Sequence, residues 1–334
     1  MDTALVVGGT RFIGRHLVEE LLDCGYEVTL FNRGVHDDPF ADREGVDHVE
    51  GDRTVETDLR AAALSVDPDA VFDVVAYRPG EVETAVDVFA DVDAYVYVSS
   101  GAAYREAIPK REGETPLRPC DADQATDDSM ATYGPRKAEG DRVVARAAQD
   151  GVNATSVRPC LVYGPHDYNG LLDYWIGRVE TRDRVVVPGD GTNLRHRVYV
   201  EDVASALRIA AEAGTPGRAY NVGDRRLLTL GDLVELLAVE LETEVEVVHA
   251  GERELAAVDL VYDDFPLYRS SPHVLDTNRL ADLEWASTPV EEATARTVAD
   301  YRERDPDRAT DRDGDPVGPD RATEERLLGL LDTL

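Results

Sequence analysis

Residues 4–14 read ALVVGGTRFIG: an apolar run, a glycine pair, and a further glycine at position 14. Ala4, Leu5, Val6 and Val7 form a strand pattern, and residues 14–24 carry helical apolar spacing. A glycine turn from strand to helix is the shape that cradles a dinucleotide phosphate. Gly8 and Gly9 permit the tight turn, and Gly14 lets helix and strand approach. The helix N-terminus then offers unpaired N–H groups and a positive dipole end to a pyrophosphate. The candidate cofactor loop is therefore Gly8, Gly9, Thr10, Arg11, Phe12, Ile13 and Gly14. The usual spacing puts glycine at 8, 11 and 14, and here the middle position is Arg11.

Outward from this loop the alternation repeats. Strand patterns fall at residues 3–7, 27–31, 47–50, 70–75 and 94–99, with helical patterns at 14–24, 54–65 and 82–90 between them. Strand and helix in turn predict an α/β fold, a doubly wound parallel sheet covered on both faces. Further units are expected in the helix around 137–149, the strand 154–158 and the pair 197–200 with 203–213. Residues 1–163 with 197–223 thus form the nucleotide-binding domain. Residues 164–196 and 224–300 lack the alternation and carry Tyr, Trp and Arg; they are expected to make a smaller, discontinuous lobe at the C-terminal edge of the sheet, where ligands of open α/β sheets bind. Residues 303–322 are polar and rich in Pro and Gly, which predicts a mobile linker. Residues 323–334 have helical spacing and could dock on their own domain or on a second subunit.

Composition narrows the setting. The 334 residues hold 68 acidic and 35 basic side chains, a formal net charge of −33, against roughly 2–8 in magnitude for an ordinary soluble domain. The carboxylates run along the whole chain, and Lys110 and Lys137 are its only lysines. Such a surface suits concentrated salt, where the Debye length shrinks to about 3 Å at 1 M and self-repulsion is screened. A cytoplasmic protein of a halophile is expected. The same charge argues against nucleic-acid or anionic-membrane binding. No apolar run approaches the ~18 residues of a membrane span, and no basic, cleavable leader pattern is visible. Cys24, Cys120 and Cys160 are scattered and odd in number, matching neither a disulfide framework nor a metal cluster.

Three further stretches carry chemistry. The second strand ends FNRG, with Asn32 and Arg33 where an acid would hold the ribose hydroxyls of NAD. A guanidinium without a carboxylate favours a 2′-phosphate, hence NADP(H) ahead of NAD(H), unless Arg33 is only a solvated cation. Arg11 could reach toward Arg33 and complete a two-arginine clamp. Asp52, after the third strand, is placed to reach an adenine amino group or simply to shape a turn. In ATYGPRKAEG, Tyr133 and Lys137 lie four apart on one helix face, and Pro135 requires the helix to begin nearby. A phenol ordinarily titrating near 10 is a poor base at neutral pH, and a neighbouring ammonium favours its phenolate. Such a phenolate can take a hydroxyl proton while hydride leaves the same carbon. Chance supplies about 0.08 such spacings in a chain with 14 Tyr and two Lys. Ser100, with Ser99 as fallback, ends the fifth strand, where a hydroxyl can either bond the reacting oxygen or cap a turn.

Together these stretches resemble the extended short-chain dehydrogenase/reductases, the NAD(P)-dependent epimerase/dehydratase family with its Rossmann domain. The resemblance runs in order over roughly residues 3–300: the glycine loop, SSGAAY (99–104), Tyr133-x-x-x-Lys137, VRPCLVYGP (157–165), RHRVYVEDVA (195–204), AYNVG (219–223) and DTNRLADLEW (276–285). It implies a Ser100, Tyr133, Lys137 triad, with Lys137 also bonding the nicotinamide ribose. It further implies Arg195 on the phosphates of a nucleotide sugar, Tyr174, Trp175 and Arg178 as substrate contacts, and a homodimer. Dehydratases of the family place Asp-Glu after the active hydroxyl residue. Gly101 and Ala102 stand there instead, which disfavours 4,6-dehydration and leaves epimerase or reductase open. GGTRFIG with AYRPGEV (76–82) resembles a divergent branch that includes chloroplast stem-loop-binding proteins. Some of those bind RNA and have lost the Tyr/Lys pair, which this chain retains. RNA binding and a non-catalytic NADP(H) redox sensor are therefore the competing expectations.

Overall fold

β1 (Thr3–Val7) is buried along Ala4–Val7, as a strand covered on both faces must be, and it lies inside a seven-stranded parallel sheet. The structure, a computed structural model, describes residues 1–304 and 314–333. After β1 come α1 (Phe12–Asp23), β2 (Glu27–Asn32), β3 (Val46–Glu50), α2 (Glu56–Val66), β4 (Ala70–Asp73), α3 (Pro79–Val88) and β5 (Ala94–Val98). The sheet is completed by α4 (Tyr133–Gln149), β6 (Ala154–Pro159), α5 (Val200–Ala213) and β7 (Ala219–Val222). Strand order is β7-β6-β5-β4-β1-β2-β3, every pair parallel. The chain winds outward from β1 to β3, then crosses to β4 and winds the other way. The order therefore reverses between β1 and β4, and ligands of such sheets bind at that crevice.

One sheet face buries Leu5, Val7, Val71, Tyr95 and Tyr97 with Leu59, Ala62, Val82, Ala85, Phe89, Val143 and Val144 from α2, α3 and α4. Helices α1 and α5 pack against each other. Strand β4 stops at Asp73, earlier than its apolar pattern, because the Asp73 carboxylate accepts Val75 N–H (3.4 Å) and the Tyr95 hydroxyl (3.1 Å). The backbone turns there instead of continuing the ladder.

Contacts divide the chain into two units, Met1–Val162 with Val200–Gly223 and Leu275–Ser287, and Tyr163–Tyr199 with Asp224–Val274 and Thr288–Leu334. Residues 275–287 thus fall in the first unit, apart from the rest of 224–300. Side chains decide it: Asn221 Nδ2 donates to Asp276 O (3.0 Å), Arg279 donates to Ala219 O (3.0 Å) and Glu112 O (2.9 Å), and Trp285 Nε1 donates to Asp202 O (3.1 Å).

In the second unit, helices Leu171–Thr181, Leu230–Glu240 and Val290–Arg304 pack together, beside a parallel pair, Arg184–Pro188 with Glu246–Ala250. The C-terminal helix spans Arg321–Leu331 and docks within this unit. Its Glu324 accepts from Tyr174 Oη and from Arg178 Nε, both at 2.6 Å. Of the expected linker 303–322, residues 305–313 lie outside the described residues.

Candidate active site

The glycine loop has the geometry a pyrophosphate cradle requires. Gly8 and Gly9 take φ of 117° and 100°, a region side chains avoid. A Cβ on Gly8 would lie 2.5 Å from Val74 Cγ2, and one on Gly14 would lie 2.7 Å from Gly9 N. The loop is thus folded tightly onto the start of α1, and the residues fit a dinucleotide. Thr10 and Ile13 are half-buried within it, while Phe12 is anchored in the core with a positive φ of 34°. Arg11 occupies the α1 cap in extended conformation, makes no side-chain cap, and lies exposed.

At the end of β2 the Asn32 amide is engaged by its own surroundings. Its Oδ1 accepts from Gly34 N (2.8 Å) and pairs with His48 Nε2 (3.1 Å), while its Nδ2 donates to Gly8 O (3.4 Å). The amide shapes the turn after β2 and ties it to the glycine loop. Arg33 is exposed and helps hold the nearby Asp52 carboxyl below its usual range, after the larger effect of hydrogen bonds from Thr54 N and Oγ1. Asp52 Oδ1 is engaged in that turn, at 2.9 and 2.7 Å.

The loop after β4 and the end of β5 meet at Lys137. Its Nζ donates to Ala76 O and Val98 O, both at 2.7 Å, and is buried, only 2% of the residue remaining exposed. Three tyrosine rings surround it, with centroids at 4.9 Å (Tyr97), 5.1 Å (Tyr77) and 5.8 Å (Tyr133). Burial pulls the ammonium down from 10.5 to about 8, against the opposing attraction of Asp73, Asp141 and Glu81. Tyr97 stays protonated, because burial raises its phenol well above 10.

Helix α4 starts at Tyr133, with Pro135 in its first turn as the sequence requires. A Cβ on Gly134 would lie 2.5 Å from Ala102 O, so only glycine lets the start of α4 sit on the turn that follows Ser100. Ser100 Oγ accepts from Ala102 N (3.1 Å), which caps that turn and leaves its hydroxyl hydrogen for another acceptor. Ser99 Oγ is buried without a hydrogen-bond partner among the described residues.

Sequence reading missed the buried braces beneath this site. Asp73 pairs with Arg53. Arg158 Nε donates to Asp141 Oδ2 (2.8 Å), its Nη1 donates to Tyr104 Oη (2.6 Å), and Tyr104 Oη donates to Asn221 Oδ1 (2.8 Å). Tyr104 follows the Ser100 turn and Asp141 lies one turn beyond Lys137, so this chain of bonds ties the Ser100 turn to the Tyr133–Lys137 helix. Charged residues inside apolar runs were the visible signal; their partners were not.

The expected substrate contacts fare differently. Tyr174 and Trp175 are buried, 1% and 0% exposed, and Trp175 Nε1 donates to Pro266 O (2.9 Å). Arg178 is engaged by Glu324 and by Pro319 O (2.5 Å). Tyr174 and Trp175 thus lie in the second unit's core, and Tyr174 and Arg178 hold its C-terminal helix. Arg195, half-buried, bridges in parallel register to His273 within the same unit. Among the described residues no His/Cys/Asp/Glu group is arranged to hold a metal, and no helix is long and apolar enough to cross a membrane.

A glycine cradle beside a Tyr-x-x-x-Lys helix on a doubly wound sheet defines a class of nucleotide-cofactor enzymes. The chain belongs to the NAD dependent epimerase/dehydratase family, whose model matches residues 4–223. It is 29% identical over 264 residues to the chloroplast stem-loop binding protein of 41 kDa b from Arabidopsis thaliana, covering 75% of this chain and 66% of that protein. The chain therefore spans just under two thirds of that relative. It is 28% identical over 255 residues to the 2-alkyl-3-oxoalkanoate reductase of Stenotrophomonas maltophilia, covering 70% and 74%. The fold is similar to that of UDP-glucose 4-epimerase from Thermotoga maritima, solved with UDP-glucose, at a TM-score of 0.70 and 21% identity over 91% of this chain and all of that one.

Proposed function

We propose that the chain is an NAD(P)-dependent epimerase or reductase acting on a hydroxyl or keto carbon of a small molecule, with a nucleotide sugar as the preferred substrate class. One observation carries this reading: the Lys137 ammonium lies buried against the Tyr133 ring in a chain that has nearly abandoned lysine. Tyr133 takes the hydroxyl proton and returns it. Lys137 favours the phenolate through its charge, and Ser100 donates its hydroxyl hydrogen to the reacting oxygen. A bound nicotinamide dinucleotide supplies hydride acceptance and donation. Gly8, Gly9 and Gly14 would hold its pyrophosphate, with Arg11 and Arg33 toward a 2′-phosphate. Gly101 and Ala102 supply no acid to expel a hydroxyl, so 4,6-dehydration stays disfavoured.

Tyr133→Phe is expected to lower turnover by about 10²–10⁴-fold while leaving cofactor binding intact. Undiminished turnover would remove Tyr133 as the base. Arg11→Gly is expected to weaken NADP(H) far more than NAD(H) in a binding titration, and equal losses would sink the clamp. The competing reading, RNA binding, draws on the similarity to a stem-loop binding protein. A net charge of −33 opposes it. Micromolar RNA binding that persists through a salt titration would revive it.

A further inference from the structure

Of the three rings around the Lys137 ammonium, Tyr97 is buried in β5 and Tyr133 belongs to the reaction. Tyr77 has no part yet. It is the most exposed of the three, at 41%, although its ring lies 5.1 Å from an ammonium that solvent scarcely reaches.

The loop that carries Tyr77 is fastened on every side. Lys137 donates to Ala76 O, and its neighbour Arg136 donates through Nη1 to Tyr77 O (3.1 Å). Glu81 Oε2 accepts from Tyr77 N (2.8 Å) and Arg78 N (3.1 Å), and the Arg78 guanidinium pairs with Asp128. Two successive residues of α4 thus grip two successive carbonyls of the loop, and the capping of α3 grips it from the other side.

We propose that Tyr77 is a positioning residue for Lys137: its ring roofs the ammonium, keeps water from it, and holds it dry beside the Tyr133 phenol. The proposal rests on the reading of Tyr133 as the base and Lys137 as the charge that favours its phenolate. Its physical basis is the donor set. Lys137 Nζ has two carbonyl oxygens and ring faces as its near neighbours, and no carboxylate at hydrogen-bond distance among the described residues. The charged groups that act on it do so from further off: Asp73 at the end of β4, Glu81 on α3, Asp141 on α4, and Arg53 in opposition. Carbonyls and rings stabilise an ammonium less than water does, so this lysine releases its proton near pH 8. Removing the roof exchanges one ring face for water and strengthens the charged form.

The test uses the two-lysine composition. The full chain is produced with ¹³C-labelled lysine, so that Lys110 and Lys137 supply the only side-chain signals, and Lys110→Arg assigns them. The Cε shift is then followed against pH without substrate or cofactor. Tyr77→Phe keeps the ring and is expected to titrate with the wild type. Tyr77→Ala is expected to titrate higher by about one pH unit or more. Tyr77→Gln keeps surface bulk while placing an amide and water on the ammonium, and is expected to move the same way should the alanine variant fold poorly. Coincident curves for the wild type and the Ala or Gln variant overturn the proposal, as does an equal upward shift in Tyr77→Phe. The outcome is independent of turnover in Tyr133→Phe, so failure of the roof and failure of the catalytic reading are separately visible.

Discussion

Lys110 and Lys137 are almost equally dry, 1% and 2% exposed, yet their surroundings differ in kind. Lys110 Nζ reaches a carboxylate, Glu106 Oε2 at 3.4 Å, and the carbonyl of Ala107 at 3.1 Å. Its backbone stitches residues 275–287 into the first unit, accepting from Asp276 N (2.9 Å) and Asn221 Nδ2 (3.2 Å). Among the described residues Lys137 bonds only carbonyls and is walled by aromatic rings. A buried ammonium that meets a carboxylate serves as a strut. One held by carbonyls and rings keeps its charge in a dry, poorly screened setting, where that charge acts strongly on a neighbouring phenol.

The comparison breaks most readily on turnover. Lys137→Met is expected to lower it about a hundredfold or more, and Lys110→Met by less than about twofold. Equal losses in a substrate-screened assay would show that the two lysines do the same work.

A pH series of unfolding measurements sharpens the contrast next. The folded value of Lys137, about 8, lies below its usual 10.5. As pH falls from 10.5 the unfolded chain takes up the proton first, so stability drops until the folded lysine is also protonated near pH 8. It is flat below that. Relative to Lys137→Met, the wild type is expected to gain on the order of 3 kcal/mol between pH 8 and 10.5. A pH-independent difference in denaturant unfolding would mean that the folded lysine titrates as an ordinary one.

The smallest effect is at Lys110. Its carboxylate partner is 55% exposed, so Lys110→Met should cost only about 1 kcal/mol in the same unfolding assay.

The first unit was legible to a degree the second was not. Strands 3–7, 27–31 and 47–50 emerge within a residue of β1, β2 and β3: β1 is a buried apolar run, β2 alternates into the core, and β3 is a largely exposed edge strand placed by its spacing from the other two. The Tyr133–Lys137 pair was legible for a similar reason: helix periodicity alone places residues four apart on one face. Tyr174, Trp175 and Arg178 misled, since a helix bearing Tyr, Trp and Arg has the same sequence whether it lines a cleft or holds a C-terminal helix 150 residues away. The partners of Asn32 were hidden in the same way. The residue sits at the end of β2, and its side-chain oxygen is engaged by Gly34 of the same turn and His48 of β3.

GGTRFIG by itself determined the strand–turn–helix unit and the need for glycine at 8, 9 and 14, because backbone geometry and chain-local periodicity are written in neighbouring residues. Only the tertiary structure decided which side chains surround Lys137. Ala76, Tyr77, Tyr97 and Val98 come from strands and loops tens of residues distant, and burial, which lowers the ammonium to about 8, is a property of their convergence. Local sequence can name a lysine and its phenol. The dryness that sets how tightly the lysine holds its proton exists only once the sheet has brought those loops together.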